Sequence, residues 1–91
     1  MLYVISYDVV EDAGRRRVYE ALKDYGRRVQ YSVFECDLDG KSLDELCGRL
    51  QEAIDPATDS CRIYRICEAC GKEVQILGRG DRYERPGYVV V

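Results

Sequence analysis

The chain contains no histidine. This absence removes the commonest general base and catalytic triads of the Ser-His type. The sequence also lacks a P-loop and a G-x-G-x-x-G fingerprint, so the nucleotide-binding folds that depend on them are not indicated. No apolar run approaches the roughly 20 residues of a membrane-spanning helix, and the N-terminus lacks a basic segment followed by an apolar one. We therefore expect a cytoplasmic protein that does not associate with membranes.

The length and composition are typical of one small globular domain. The 91 residues leave room for a single core, and 46% of them are hydrophobic while 34% are charged. No internal repeat or low-complexity segment divides the chain. We therefore predict a single domain over residues 1–91.

The five cysteines are an odd number in a chain without a secretion signal, which favours reduced thiols over a disulfide framework. Cys67 and Cys70 form a C-x-x-C pair. Zinc needs about four ligands, and no second pair has matching spacing. Cys61 or a second subunit could complete a site, but the pattern favours a pair that holds no metal.

Charge is distributed unevenly along the chain. The formal net charge is −3, and residues 35–60 carry eight acids against two bases, which leaves +3 on the rest. Eleven of the fourteen cations are arginine, clustered at 15–17, at 27–28 and at positions 79, 82 and 85. Arginine matches phosphate oxygens with two parallel hydrogen bonds. The clusters indicate either a phosphate-binding patch or solvated helix faces with ion pairs, and charge alone does not separate the two.

The stretch Met1–Asp8 predicts a central strand that ends in a carboxylate. Apolar and aromatic residues fill both of its alternating sets, so both faces are expected to be largely covered. An acid at the carboxyl end of such a strand, here Asp8, is a candidate ligand for a metal. The alternative is that Asp8 is a turn residue or a helix cap.

Periodicity and turn residues predict the remaining elements. Gly26 is expected to end the first helix, and Ser42 with Glu45 is expected to form a capping box at the start of the second. The predicted elements are helices over 13–25 and 42–54, strands over 27–38, 60–66 and 73–77, and an apolar strand at the C-terminus. The order β-α-β-α-β-β, with an extra C-terminal strand, predicts an α+β, ferredoxin-like sandwich of two layers.

Helices on one face leave the other face of the sheet without cover. A homodimer that stacks two such faces about a two-fold axis is the simplest solution. The apolar end, Tyr88–Val91, is expected to extend a sheet edge. If the first strand ends near the axis, two Asp8 carboxylates face one another and could hold one Mg²⁺. Such an ion would activate water for attack on a phosphodiester, with arginine neutralising the developing charge.

Three motifs resemble the Cas-two family of small CRISPR-associated nucleases, which work beside the CRISPR integrase in spacer acquisition. They are Tyr7-Asp8, the pair Arg15-x-Arg17-Val18, and the run Arg28-Val-Gln-Tyr-Ser-Val-Phe-Glu35. The first is weakly specific and the run is strongly specific. The resemblance covers nearly the whole chain and implies a ferredoxin-like dimer whose C-terminal strand pairs across subunits.

The resemblance also implies a function and its residues. The activity would be metal-dependent cleavage of single-stranded RNA, double-stranded DNA or both, with Asp8 as catalytic residue and Mg²⁺ ligand. The implied nucleic-acid contacts are Tyr7, Arg15, Arg17 and Arg28. The implied dimer interface contains Ser32, Phe34, Tyr88, Val89 and Val90, and for Phe34 an interface role is favoured over base stacking.

Two other functions are compatible with parts of the sequence. One is a non-catalytic dimeric scaffold that bridges integrase subunits and holds duplex DNA through arginine. The same dimer and the same arginines serve this scaffold and the nuclease, so the sequence does not separate them. The other is a regulator that senses a small molecule. The absence of a glycine-rich effector loop and the arginine clusters count against that function.

Overall fold

The computed structural model describes residues 1–80. Its elements are β1 (Leu2–Asp8), α1 (Asp12–Lys23), β2 (Gly26–Gln30), β3 (Val33–Asp37), α2 (Gly40–Ala53), β4 (Ser60–Ile66) and α3 (Glu68–Lys72). The four strands form one antiparallel sheet in the order β2-β3-β1-β4. Helices α1 and α2 contact each other, and their apolar faces form the core with one face of the sheet. This arrangement confirms the α+β, ferredoxin-like prediction. No helix within these 80 residues is long and apolar enough to cross a membrane.

Strand β1 lies in the centre of the sheet, as its composition predicts. It pairs with β3 along one edge and with β4 along the other. Tyr3, Ile5 and Tyr7 are buried beneath the helices, whereas Leu2, Val4 and Ser6 are half-buried on the opposite face. We call this second face, which α1 and α2 do not cover, the open face.

The predicted single strand over 27–38 is wrong, because the chain reverses at Tyr31 and Ser32 to form the β2–β3 hairpin. Strand β1 holds this turn. The Tyr7 amide donates to the Ser32 carbonyl oxygen at 3.0 Å, and the Tyr7 hydroxyl donates to the Tyr31 carbonyl oxygen at 3.4 Å. The turn contains no glycine, proline, asparagine or aspartate, and Ser32 is the weakest of the residues that usually mark a turn. Tertiary contacts therefore fix a turn that the local sequence indicates only weakly.

The strand predicted over 73–77 is also wrong, and a short helix, α3, precedes that segment. The Cys67 sulfur accepts a hydrogen bond from the Cys70 amide at 3.3 Å and caps the helix. With the hairpin counted as two strands, the order along residues 1–80 is β-α-β-β-α-β followed by α3, instead of β-α-β-α-β-β. The expected C-terminal strand at Tyr88–Val90 lies outside the described residues.

Helix α2 begins two residues earlier than the capping box predicts. Its N-cap is Asp39, whose carboxylate accepts a hydrogen bond from the Ser42 amide at 2.8 Å. Ser42 lies within the first turn, so the prediction of Ser42 as the cap is wrong. Aspartate and serine are equally good N-cap residues, so the sequence alone does not decide between Asp39 and Ser42.

The sequence predicts that Gly26 caps the C-terminus of α1. This prediction is wrong, because Gly26 is the first residue of β2. It pairs with Cys36 of β3 at a very close approach of the two backbones. A Cβ atom at this position would collide with the Glu35 carbonyl oxygen and the Cys36 sulfur. Glycine is therefore required here because no other residue fits the space.

We expect Gly26→Ala to lower the free energy of unfolding by about 1–3 kcal/mol, because β2 must move away from β3. Gly48→Ala is the matched control. Gly48 is exposed within α2 and a Cβ atom there meets nothing within 4 Å, so alanine should be neutral or stabilising by up to about 1 kcal/mol. Urea unfolding at one protein concentration measures both variants. Equal stability of Gly26→Ala and the wild type would contradict the packing argument.

Candidate functional site

Asp8 is the last residue of the central strand and pairs with Ser60 of β4. Strand alternation places it with Val4 and Ser6 on the open face, and it is exposed. Within residues 1–80, no hydrogen bond or ion pair engages its carboxylate. An exposed carboxylate at a strand end, without a partner in the described part of the chain, is suited to bind a cation.

The described residues of one chain supply few ligands at this point. The described residues contain no group of three or more His, Cys, Asp or Glu side chains that could hold a metal. Mg²⁺ commonly binds through one or two carboxylates and completes its shell with waters and substrate phosphate oxygens. The site therefore fits Mg²⁺ if a second copy of Asp8, or the substrate, provides further oxygens.

Arg15 anchors the loop that follows Asp8. Its guanidinium donates to the carbonyl oxygens of Val9 at 3.2 Å and Val10 at 3.4 Å, and it pairs with the Asp12 carboxylate. These contacts fix the backbone directly after the candidate metal ligand. The structure thus gives Arg15 a positioning role, and its contact with nucleic acid stays a prediction.

Asp59 also anchors this loop, and the sequence did not predict its role. Its carboxylate accepts hydrogen bonds from the Asp55 amide at 2.8 Å and the Val10 amide at 3.0 Å. These bonds, the one from Asp55 first, lower the pKa of Asp59. Asp59 precedes Ser60, the partner of Asp8 in the sheet. Two aspartates in a short loop before a strand are a signal for such side-chain turns.

Tyr7 is buried next to the site and orients the hairpin turn through its two hydrogen bonds. Burial raises the pKa of its hydroxyl, and the nearby charges of Arg28 and Arg15 partly oppose that shift. The phenol is therefore neutral at physiological pH. With 8% of its surface exposed, Tyr7 has little area to offer a large ligand, and its predicted contact with nucleic acid remains untested.

The three arginines expected to contact nucleic acid do not form one cluster. Arg28 lies on the helix side of β2 with its guanidinium 5.3 Å from the centre of the Tyr19 ring. Arg15 lies close enough to Tyr7 to influence the same hydroxyl as Arg28. Arg17 lines a separate groove with residues of the loop before β4, including Asp59. Two of the three are thus near Tyr7, and the third is apart.

Arg62 is a cation on the open face that the sequence reasoning missed. It is exposed on β4 opposite Ser6, and it is therefore diagonal to Asp8 on the same face. Diagonal neighbours across a strand pair are about 7–8 Å apart, within reach of a long side chain. A hydrogen bond with Tyr64 raises the pKa of Arg62. The strand was predicted correctly, but its register, which places Arg62, requires the structure.

Phe34 was expected to line a dimer interface, and the structure places it elsewhere. It pairs with Ile5 on the helix side of the sheet, and 1% of its surface is exposed. Its ring meets Tyr19 edge-on with 5.8 Å between the ring centres. Phe34 thus belongs to the core of its own chain and leaves no surface for a partner. Ser32 is half-buried in the hairpin turn, and Tyr88, Val89 and Val90 lie outside the described residues.

The cysteines do not add a metal centre to residues 1–80. Burial raises the pKa of Cys36 to about 12 and that of Cys61 to about 11, so both are neutral thiols. Cys67 and Cys70 are exposed, and the hydrogen bond from the Cys70 amide lowers the pKa of Cys67. No third ligand accompanies this pair in the described part of the chain.

Comparison with known proteins gives concordant matches. A family model described as CRISPR associated protein Cas2 matches residues 1–74. CRISPR-associated endoribonuclease Cas2 3 of Chloroflexus aurantiacus is 43% identical over 91 residues, covering 100% of this chain and 98% of that protein. The crystal structure of Streptococcus pyogenes Cas2 is 37% identical with a TM-score of 0.72, covering 86% of this chain and 100% of that chain. A chain of a partial Cas6-RT-Cas1–Cas2 complex is 26% identical with a TM-score of 0.63, covering 84% of this chain and 89% of that chain.

The bonds of Asp59 predict a pH-dependent contribution to stability. A carboxyl whose pKa is lowered by folding stabilises the protein above its unfolded pKa, and this contribution is lost as the pH falls through the folded value. We expect Asp59→Ala to unfold at less urea than the wild type at pH 7, and we expect the difference to shrink below about pH 4. Asp44→Ala, which removes an exposed carboxylate of α2, is the control. A difference that stays constant down to pH 3 would contradict this role of Asp59.

Proposed function

Since the chain belongs to the Cas2 family of CRISPR-associated proteins, we propose that it is a Mg²⁺-dependent endonuclease that acts with the CRISPR integrase in spacer acquisition. Its substrate is single-stranded RNA, double-stranded DNA or both. The observation that carries the proposal is Asp8, an exposed carboxylate without a partner in residues 1–80, at the end of the central strand. The names of the relatives support a nuclease, and the Cas1–Cas2 complex supports the integrase as partner.

The proposed active unit is a homodimer formed through the open face. Val4 and Val33 are half-buried there, and Tyr64 has 47% of its surface exposed. Burying these side chains against a second copy contributes about 25 cal/mol for each Å² of apolar surface removed from water. Stacking two open faces about a two-fold axis also brings the two Asp8 carboxylates to the same interface. One Mg²⁺ would be held there by both.

The proposed roles of the protein groups follow from their positions. When bound, Mg²⁺ lowers the pKa of water and neutralises phosphate charge, which favours phosphodiester hydrolysis. Asp8 would hold the ion, and Arg15 and Asp59 hold the backbone that directly follows Asp8. Arg62 contacts a phosphate on the open face and stabilises the charge that develops there. Arg17 and Arg28 bind more distant phosphates.

The second candidate function is a non-catalytic scaffold that holds duplex DNA in the adaptation complex. The observation that favours it is that residues 1–80 of each chain offer one carboxylate at this site, because many metal nucleases use two ions and several acidic ligands. The likeness to a chain in a Cas1–Cas2 complex is compatible with this function as well. A measurement of nucleic-acid cleavage by the purified dimer distinguishes the scaffold from the nuclease.

We expect Asp8→Asn to reduce Mg²⁺-dependent cleavage by about 100-fold or more, because asparagine keeps the shape of the side chain and removes the charge that Mg²⁺ needs. Cleavage of labelled single-stranded RNA and duplex DNA, with Mg²⁺ and with a chelator, measures the effect. Sedimentation should show the same dimer as the wild type. Asp44→Asn removes a carboxylate from the outer surface of α2 and should leave the rate unchanged.

Full activity of Asp8→Asn would contradict the assignment of Asp8 as the metal ligand. If the wild type cleaves neither substrate with Mg²⁺ but binds duplex DNA, the nuclease proposal fails. The scaffold is then the better description.

A further inference from the structure

We propose that Tyr31 is a stacking platform for an unpaired base of a single-stranded substrate at the Asp8 site. This inference rests on the proposed function and names a residue that would distinguish a single strand from a duplex. Tyr31 lies in the turn of the β2–β3 hairpin, and 93% of its surface is exposed. Of the tyrosines within residues 1–80, it has the most exposed side chain, and Tyr64 follows with 47%.

The turn holds Tyr31 beside the candidate metal ligand. Tyr7, the residue directly before Asp8, donates one hydrogen bond to the Tyr31 carbonyl oxygen and another to the Ser32 carbonyl oxygen. Both bonds use the backbone of the turn, so they fix its position and leave the Tyr31 ring free. The Tyr31 ring would therefore be available to a base near the reacting phosphate without any rearrangement of the chain.

Among residues 1–80, the Tyr31 ring has almost no packing contacts, because 93% of its surface is exposed. Phe34, three residues further on, faces the helices and fills the core, whereas the Tyr31 ring lies in solvent. A turn does not require an aromatic side chain, and small polar residues or glycine are the usual choice. An exposed aromatic ring offers a large flat apolar surface, which a nucleobase can cover.

A cation on the same hairpin adds the positive charge that binding of single-stranded nucleic acid requires. Arg28 lies on the same hairpin, and its charge reaches the Tyr7 hydroxyl that is bonded to the turn. Sites for single strands combine such cations with aromatic rings on which bases stack. In a duplex the base faces are occupied by neighbouring base pairs, so Tyr31 can stack only on an unpaired base. A duplex would use Arg28 and gain nothing from the ring.

The chain contains no tryptophan, so Tyr31→Trp introduces a single fluorescent reporter at the turn. The experiment uses the full-length protein in an Asp8→Asn background, which keeps the probe intact. The probes are a single-stranded oligoribonucleotide of about 12 nucleotides, the DNA duplex of the same sequence, and inorganic polyphosphate. We expect the oligoribonucleotide to quench the fluorescence, and the other two probes to leave it unchanged. Gly48→Trp, an exposed control on α2, should not respond to any probe.

Affinity provides the second measurement. Tyr31→Ala should weaken binding of the oligoribonucleotide by roughly 5- to 150-fold, the range for one base stacked on one aromatic ring. Tyr31→Phe should bind like the parent, and duplex affinity should not change. Because the tyrosine ring is exposed, these variants remove little packing among residues 1–80.

Equal affinity of Tyr31→Ala and its parent for the oligoribonucleotide would overturn the inference. An equal loss on the duplex would also overturn it, as would tryptophan emission typical of a buried ring in the free dimer. These readouts are independent of cleavage, so failure of the proposed nuclease activity does not affect them. Quenching by the single strand in a protein that cleaves nothing would support the inference and reject the nuclease.

Discussion

The structure depends on one constraint, which is that β1 is hydrogen-bonded to a neighbour along both of its edges. Pairing with β3 and β4 fixes the register of the sheet. The alternation of side chains then assigns Tyr3, Ile5 and Tyr7 to the core and leaves the intervening residues on the open face. Asp8, the last residue of β1, is the first residue of this strand that is exposed to solvent. The candidate metal ligand is thus placed by the same bonds that build the fold.

Three loops meet at this end of the sheet, and each is tied to a neighbour by a specific polar contact. Tyr7 holds the hairpin turn, Arg15 holds the backbone after Asp8, and Asp59 links that backbone to the loop before β4. Such contacts limit the motion of Asp8 before any ligand binds. A preorganised carboxylate costs less conformational entropy when it coordinates a metal than a mobile one does.

The sequence predicts the parts of this arrangement that local patterns determine. Periodicity locates β1, both long helices and β4, and the abrupt end of the apolar run identifies Asp8. The hairpin was not predicted because hydrogen bonds from Tyr7 fix the turn at Tyr31, and Ser32 alone is a weak turn signal. The roles of Arg15 and Arg62 could not be predicted from the sequence for a related reason. The sequence shows where a guanidinium occurs, but whether it meets a carbonyl oxygen or solvent depends on the register and on distant loops.

The stoichiometry of Mg²⁺ binding tests directly whether two Asp8 carboxylates share one ion, as we propose. Calorimetric titration of the dimer with Mg²⁺ is predicted to give about one ion for every two chains. The same titration of Asp8→Asn should show no binding. One ion for every chain, or undiminished binding to Asp8→Asn, would contradict the claim.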